Sequence, residues 1–142
     1  DNNCPLVAYI EEKFYFKDQN DQIYASPADE TPSYPHDCHP DDLDIAIGID
    51  RIQKATKFKF NHIDNKWSGL RTFVKDKSPV IGYENSNKNF FWLVAQGGYG
   101  IQTSPALAEI SANIILNKKN DFLIDNSTLN NISIKRIRNE IL

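Results

Sequence analysis

One stretch of the sequence, residues 89–116, constrains the fold and the chemistry of this chain more than any other. Phe90 to Ala95 is a continuous apolar run, which is typical of a strand buried on both faces. The turn Gly97-Gly98-Tyr99-Gly100 follows this run after a single glutamine. Glycine permits positive φ angles and lets a ligand come close to the main chain. The pattern therefore predicts a buried strand that ends in a turn able to contact a ligand.

A helix is predicted directly after this turn. Thr103 or Ser104 can serve as its N-cap, with Pro105 at the first helical position, and apolar residues then recur at helical spacing from Ala106 to Ile115. The unpaired amides of the first turn and the helix dipole favour a phosphate, a carboxylate or a ring that becomes anionic on reduction. A plain strand-to-helix connection has the same spacing, so the pattern alone leaves both interpretations open.

The order of residues in this stretch also resembles a known protein family. The string from Phe91 to Ala106, FWLVAQGGYGIQTSPA, resembles the C-terminal flavin-binding segment of the D-amino acid oxidase superfamily. Within that superfamily it most resembles the FAD-dependent D-amino acid dehydrogenases of the D-arginine dehydrogenase type. Three upstream stretches resemble the same family, and the resemblance runs in unbroken order from about residue 5 to 117; the stretches are residues 14–17 (FYFK), 26–32 (SPADETP) and 67–73 (WSGLRTF).

Length, composition and charge limit the other possibilities. The 142 residues suit one domain with a real core, and 40% hydrophobic and 25% charged residues are ordinary values. A net charge of −3 argues against a nucleic-acid partner. No apolar run approaches the roughly 20 residues of a membrane span, and no signal-peptide pattern is present. Two cysteines, Cys4 and Cys38, favour a reduced cytoplasmic chain, with a single disulfide left open.

The chain contains no methionine and opens on Asp1-Asn2-Asn3, so we expect a fragment or a processed product. The resemblance agrees, because these flavoenzymes have an N-terminal G-x-G-x-x-G dinucleotide fold, and this pattern does not occur in the 142 residues. By resemblance, an N-terminal half holds the ADP and pyrophosphate of FAD. That half and a small-molecule amino acid substrate are the expected partners, and membrane association of the parent protein stays open.

Hydrophobic periodicity predicts an α+β fold, mostly antiparallel sheet with one crossing helix. The predicted strands are residues 6–10, 14–17, 22–26, 58–63, 67–74, 79–83 and 90–95, with a turn at 18–21 and a loop at 26–40. The crossing helix is predicted to start at His39-Pro40-Asp41-Asp42, with proline at its first position and acids in the first turn. Its predicted buried stripe consists of Leu43, Ala46, Ile47, Ile49, Ile52 and Ala55.

The resemblance divides the chain into three parts. Residues 5–88 correspond to a substrate-binding domain, and residues 89–117 form a strand, glycine loop and helix that return to the flavin domain. Residues 118–142 are a polar C-terminal tail, in which Ile132 to Leu142 is predicted to form a short basic helix.

Arg71 is the first candidate binding residue. It lies in a predicted strand, where its guanidinium can bind a carboxylate through two parallel hydrogen bonds. The residues alone favour an edge arginine that pairs with a surface acid, and the resemblance reverses this preference. By resemblance, Arg71 binds the substrate α-carboxylate, and Gly69 lets the backbone pass close beneath the flavin.

Tyr15 is the second candidate. Strand alternation places Phe14 and Phe16 on one face and Tyr15 on the other, where it is either a surface tyrosine or, by resemblance, a ligand of the substrate carboxylate. Lys17 is interpreted as a solvated lysine, and His36-Asp37-Cys38-His39 as a loop, since its spacing fits no zinc site. By resemblance, the flavin-binding residues are Gly97, Gly98, Tyr99, Gly100, Ile101 and Gln102, and Gln102 also lines the substrate pocket.

The function implied by the resemblance is oxidation of a D-amino acid to its imino acid, with hydride transfer to flavin, followed by hydrolysis to a 2-oxo acid and ammonia. Substrate placement and amine deprotonation are expected to suffice, so no residue is assigned as a catalytic base. The chain alone is expected to be inactive. The alternatives are a glycine or sarcosine oxidase of the same superfamily, and a stand-alone, non-catalytic ligand-binding module.

Overall fold

A computed structural model of the chain describes residues 5–19, 22–119 and 124–138. Helices and antiparallel strands occur together, as expected for the α+β class. The chain divides into two compact units, Asp1–Leu70 and Arg71–Leu142. The predicted assignment to a substrate domain (5–88), a flavin segment (89–117) and a tail (118–142) stays a prediction.

The first unit is a three-stranded antiparallel sheet with one helix. Its strands pair in the order β1-β2-β3, and the elements are β1 (Val7–Ala8), β2 (Tyr15–Gln19), β3 (Gln22–Ser26) and α1 (Asp42–Ala55). Phe14 and Phe16 are buried with Ile52 of α1, while Tyr15, between them, stays 45% exposed. The predicted alternation is therefore confirmed.

The start of α1 is set by Asp41. The Asp41 carboxylate accepts hydrogen bonds from the amides of Leu43 (2.7 Å) and Asp44 (3.3 Å), so Asp41 is the N-cap. Pro40 thus precedes the cap instead of occupying the first helical position. The predicted stripe is confirmed at Ile52, but Leu43, Ala46 and Ala55 are exposed; the remaining members, Ile47 and Ile49, are half-buried.

Three strand predictions in the first unit need correction. The first strand covers only Val7–Ala8 instead of residues 6–10. β2 runs on to Gln19 through half of the predicted turn at 18–21, the other half of which lies outside the described residues. Residues 58–63 form no strand, although Phe58 and Phe60 do pack on the core. Half-buried and exposed side chains alternate from residue 58 to 61, but no neighbouring strand in the described part of the chain is hydrogen-bonded to this segment. Alternation alone therefore does not produce a strand.

The second unit is a two-stranded antiparallel sheet with helices on both faces. Its elements are β4 (Val80–Tyr83), β5 (Phe91–Val94), α2 (Gly100–Ile115), α3 (Asn126–Ile132) and α4 (Ile134–Arg138). On one face, Val80 and Val94 pack with Ile134 of α4. On the other face, Ile81 packs with Leu107 and Ile110 of α2.

Two further predictions change in this unit. β5 was predicted to be buried on both faces, but Leu93 is 41% exposed. The predicted polar tail contains α3 and α4. α4 confirms a short basic helix, but it covers Ile134–Arg138, and Ile132, the predicted first residue, belongs to α3. Arg136 of α4 binds Asp76 through Nε (2.6 Å) and Nη2 (3.0 Å) and donates to the Ser78 carbonyl (2.8 Å).

Candidate functional site

The glycine turn begins where β5 ends. Buried Ala95 has a φ of +61° and Gly97 a φ of +55°, so two left-handed residues flank Gln96 and reverse the chain sharply. The Gly97 amide donates to the Thr72 carbonyl at 3.1 Å, and the Tyr99 amide donates to the Gln96 carbonyl at 3.1 Å. The turn is therefore held by backbone hydrogen bonds to itself and to the segment that carries Arg71.

Helix α2 begins at Gly100, five residues before Pro105, the predicted first helical position. Its N-cap is Tyr99, and Pro105 lies inside the helix. Proline has no N–H for the carbonyl four residues earlier, that of Ile101, and the Ser104 hydroxyl donates to this oxygen instead, at 2.8 Å. The substitute hydrogen bond explains why proline is tolerated here.

The earlier start makes the glycine turn and the helix N-terminus one feature. Tyr99 forms no side-chain capping bond, and the first backbone bond of the helix joins the Thr103 amide to the Tyr99 carbonyl at 3.0 Å. The preceding amides, those of Gly100, Ile101 and Gln102, are the ones a helix leaves without an intrahelical acceptor. Ile101 is 94% exposed and Gln102 is also exposed, so this helix end is accessible.

Arg71 lies beside this turn. Its Nη1 atom is 3.2 Å from the position that a Cβ atom on Gly98 would occupy. Its Cζ atom lies 5.1 Å from the ring centroid of Phe73, within the range of a cation–π contact. The predicted strand over residues 67–74 is not formed, so Arg71 is held by these contacts on irregular chain.

Phe73 is a site residue to which sequence reasoning gave no role. A Cβ atom on Gly97 would lie only 2.6 Å from Cε1 and 3.0 Å from Cδ1 of this ring. The positive φ favours glycine at position 97, and the nearby ring leaves no room there for a Cβ atom. The available signal was the position of Phe73, two residues after a candidate arginine in the same family-like stretch, residues 67–73.

The structure thus brings Arg71 together with the loop that contains Gly97 and Gly98. Tyr15 and Gly69 belong to the first compact unit, and their predicted roles stay predictions. Tyr15 is on the sheet face opposite the core, and no atom of the described residues lies within 4 Å of a Cβ built on Gly69.

The remaining arginines of this unit serve structure. Arg136 lowers the pKa of Asp76 from 3.8 to about 2 through its hydrogen bonds. Arg138 binds Glu84, which also accepts hydrogen bonds from the Trp92 indole at 3.1 Å and the Asn85 amide at 2.8 Å, and these contacts lower the pKa of Glu84 from 4.5 to about 2. Both carboxylates are therefore fully ionised partners that anchor α4 near neutral pH.

Comparison with known families identifies the chain. The model of the DAO family, described as FAD dependent oxidoreductase, matches residues 3–114. This chain is a member of that family. Membership covers most of the sequence and includes Arg71, Phe73 and the whole glycine turn.

The family name implies FAD as the cofactor of full-length enzymes. The residues present fit such a group, because positions 97 and 98 of the turn carry no side chain, and the first turn of α2 offers accessible amides without a side-chain cap. Backbone donors of this kind suit an electron-rich ring edge. FAD, when bound, supplies the acceptor for a hydride, and the accessible amides at the start of α2 and the Arg71 guanidinium are groups of this chain that could bind near it.

Other kinds of site receive no support within the described ranges. No group of three or more His, Cys, Asp or Glu side chains there could hold a metal ion. His36 contacts the Tyr34 carbonyl through Nδ1 at 2.7 Å, and Cys38 is a free thiol that accepts from the Ser68 hydroxyl at 3.4 Å, while Cys4 lies outside the described residues. Among the helices described, none is long and apolar enough to cross a membrane.

Proposed function

We propose that this chain forms the substrate-carboxylate and flavin-ring part of an FAD-dependent D-amino acid oxidoreductase. The observation that carries the proposal is the position of Arg71 beside Gly98, with Nη1 3.2 Å from the Cβ position of that glycine. A guanidinium that binds a carboxylate is thereby adjacent to the turn whose amides suit the cofactor. The oxidised product would be an imino acid, which hydrolyses to a 2-oxo acid and ammonia.

In this proposal, Arg71 binds the substrate α-carboxylate through its two terminal nitrogens. The planar, permanently charged guanidinium matches the two oxygens of a carboxylate, and bidentate binding fixes the orientation of the whole amino acid. Gln102 is proposed as a polar residue of the substrate pocket. The α-carbon would then be oriented by its carboxylate, which is the positioning that hydride removal needs.

The glycine turn has a separate role in the proposal. Gly97, Gly98, Tyr99, Gly100, Ile101 and Gln102 are proposed to face the flavin. Preorganised amides at the first turn of α2 would stabilise negative charge that develops on the cofactor when the substrate is oxidised. No side chain is proposed as the base, because deprotonated amine and correct placement meet the needs of the reaction.

Arg71→Ala tests the proposal in the protein encoded by the complete reading frame. Loss of the carboxylate contact should raise KM for a D-amino acid by an amount worth about 2–4 kcal/mol, and Arg71→Lys should recover only part of it. Lys75→Ala is the matched control, since it removes an exposed cation four residues away, for which the described part of the chain provides no partner. Equal kcat/KM in Arg71→Ala and the unmutated protein would refute the assignment.

The alternatives are separated in the same assays. Turnover of glycine or sarcosine in preference to larger D-amino acids would indicate the related oxidase activity instead. A purified protein without a visible flavin spectrum and without turnover would indicate a non-catalytic binding module.

A further inference from the structure

The ring of Phe73 contacts two parts of the candidate site that the proposed function keeps separate. The Cζ atom of Arg71, the proposed carboxylate ligand, lies 5.1 Å from its centroid. The Cα of Gly97, in the proposed flavin turn, lies so close to the ring that an added Cβ would be 2.6 Å from Cε1. Phe73 is half-buried, so part of its surface is already covered by such contacts.

Arg71 needs a support of this kind. Its side chain is exposed and is not carried by a regular strand, and a long flexible side chain loses rotamer entropy whenever it is held in one place. An aromatic face attracts a guanidinium without blocking its edge nitrogens, which remain able to bind a carboxylate. The contact with Phe73 therefore restricts the Arg71 side chain before the substrate arrives.

The support is itself anchored to the turn. The residue between Arg71 and Phe73 accepts a hydrogen bond at its carbonyl from the Gly97 amide, at 3.1 Å. Because Gly97 has no side chain, the Phe73 ring can lie directly against the backbone of the turn. A backbone bond and a ring contact thus connect the arginine segment to the same glycine.

We propose that Phe73 is a positioning residue, which holds the Arg71 guanidinium beside Gly98 for binding a carboxylate. Gly97 is then a glycine partly to accommodate this ring. The identity of the bound carboxylate rests on the proposed function, whereas the placement of Arg71 by Phe73 does not.

The placement is tested by NMR on the 142-residue chain. A guanidinium above an aromatic ring experiences a ring-current shift, so the Arg71 Hδ and Hε signals should move toward ordinary arginine positions in Phe73→Leu. They should keep their shifts in Phe73→Tyr, which retains the ring, and in Phe90→Leu, which removes an exposed ring elsewhere. Unchanged Arg71 signals in Phe73→Leu, with the backbone spectrum otherwise conserved, would overturn the proposal. If Phe73→Leu does not fold, the chemical shifts of Arg71 in the unmutated chain provide the test. Ring-current-shifted Hδ and Hε signals would support the contact, and signals at ordinary arginine positions would contradict it.

The functional consequence is tested by a double-mutant cycle in the protein from the complete reading frame. Phe73→Leu should raise KM about two- to fivefold, as expected for losing an exposed cation–π contact, with kcat unchanged, and Phe73→Tyr should restore KM. In an Arg71→Ala background, Phe73→Leu should have no further effect on KM. An equal effect in both backgrounds would show that Phe73 acts independently of Arg71. Absence of turnover with every amino acid would refute the proposed function, and the NMR experiment would still decide the placement.

Discussion

Adjacent glycines in the turn should respond differently to the same substitution, with Gly97→Ala destabilising the fold and Gly98→Ala sparing it. Gly97 has a φ of +55°, and an added Cβ would lie 2.6 Å from Phe73 Cε1 and 3.0 Å from Cδ1. Gly98 has no left-handed φ, and its added Cβ would approach only the end of the flexible Arg71 side chain, at 3.2 Å.

The cost at Gly97 has two parts. A left-handed conformation costs a residue with a Cβ about 1–2 kcal/mol. Displacing the half-buried Phe73 ring is an overpacking cost of about 1–3 kcal/mol, of which we expect the lower end because the ring has an exposed side on which to move. Gly97→Ala should therefore lower the free energy of unfolding by about 2–4 kcal/mol. Gly98→Ala should change it by less than about 0.5 kcal/mol.

The assay follows the second unit alone. The chain has two tryptophans, and only Trp92 lies in this unit, where it packs against the core that contains Val80 and Ala95. In a Trp67→Phe background, urea unfolding followed by fluorescence then reports the environment of Trp92. Both glycine variants are compared in this background, with the slope of the transition checked for constancy.

A third variant separates the two costs. In a Phe73→Leu background, the smaller side chain should remove most of the steric part, so Gly97→Ala should then cost about 1–2 kcal/mol. An unchanged cost would show that the ring contact is unimportant. Equal destabilisation by Gly97→Ala and Gly98→Ala in the parent background would refute the reasoning from φ and ring distance altogether.

Three further predictions concern acid stability and the cofactor. Because Arg136 lowers the pKa of Asp76 to about 2, the stability that this pair provides should be present above pH 4 and disappear as the pH falls toward 2; Asp76→Asn should reduce this pH dependence, by about 1 kcal/mol after solvent screening, in urea titrations at each pH. The 142-residue chain, which contains no G-x-G-x-x-G motif, should bind FAD weakly or not at all, and tight stoichiometric flavin after purification of this chain would contradict that. In the protein from the complete reading frame, Gly98→Val should lower the flavin reduction potential and the FAD content, because the added side chain would move the flavin away from the backbone amides that stabilise its reduced, negatively charged ring. A redox titration that finds the potential and the FAD content unchanged would exclude the turn as a flavin contact.

Where local chemistry and tertiary contacts agree, the sequence was sufficient to predict the fold. β3 was predicted at 22–26 and forms there, and the burial of Phe14 and Phe16 with Tyr15 outside follows from strand alternation. Residues 58–63 show the limit of the same rule. Phe58 and Phe60 do face the core, but a strand also needs a neighbour to accept its hydrogen bonds, and periodicity contains no information about neighbours.

The beginning of α2 was misjudged for a related reason. Pro105 is a common first helical residue, and Thr103 and Ser104 are good capping residues, so local preference favoured a start there. The Ser104 hydroxyl instead replaces the missing proline N–H at the Ile101 carbonyl, and the helix extends back to Gly100. A compensation by one side chain is not visible in residue preferences, because it depends on the helix already being formed.

The sequence pattern alone could not predict that Arg71 lies beside the glycine turn, because the two are more than 20 residues apart in sequence and Arg71 is not part of a regular strand. The Gly97 amide and the Thr72 carbonyl join these segments at 3.1 Å, and neither atom belongs to a side chain. Side-chain changes at 71 or 73 should therefore alter carboxylate binding while the turn keeps its place. A change of backbone angle at Gly97 would displace the hydrogen bond, the ring of Phe73 and the start of α2 together. The order of sensitivity follows from this: the site should tolerate replacement of its binding side chains more readily than replacement of the glycine that joins them.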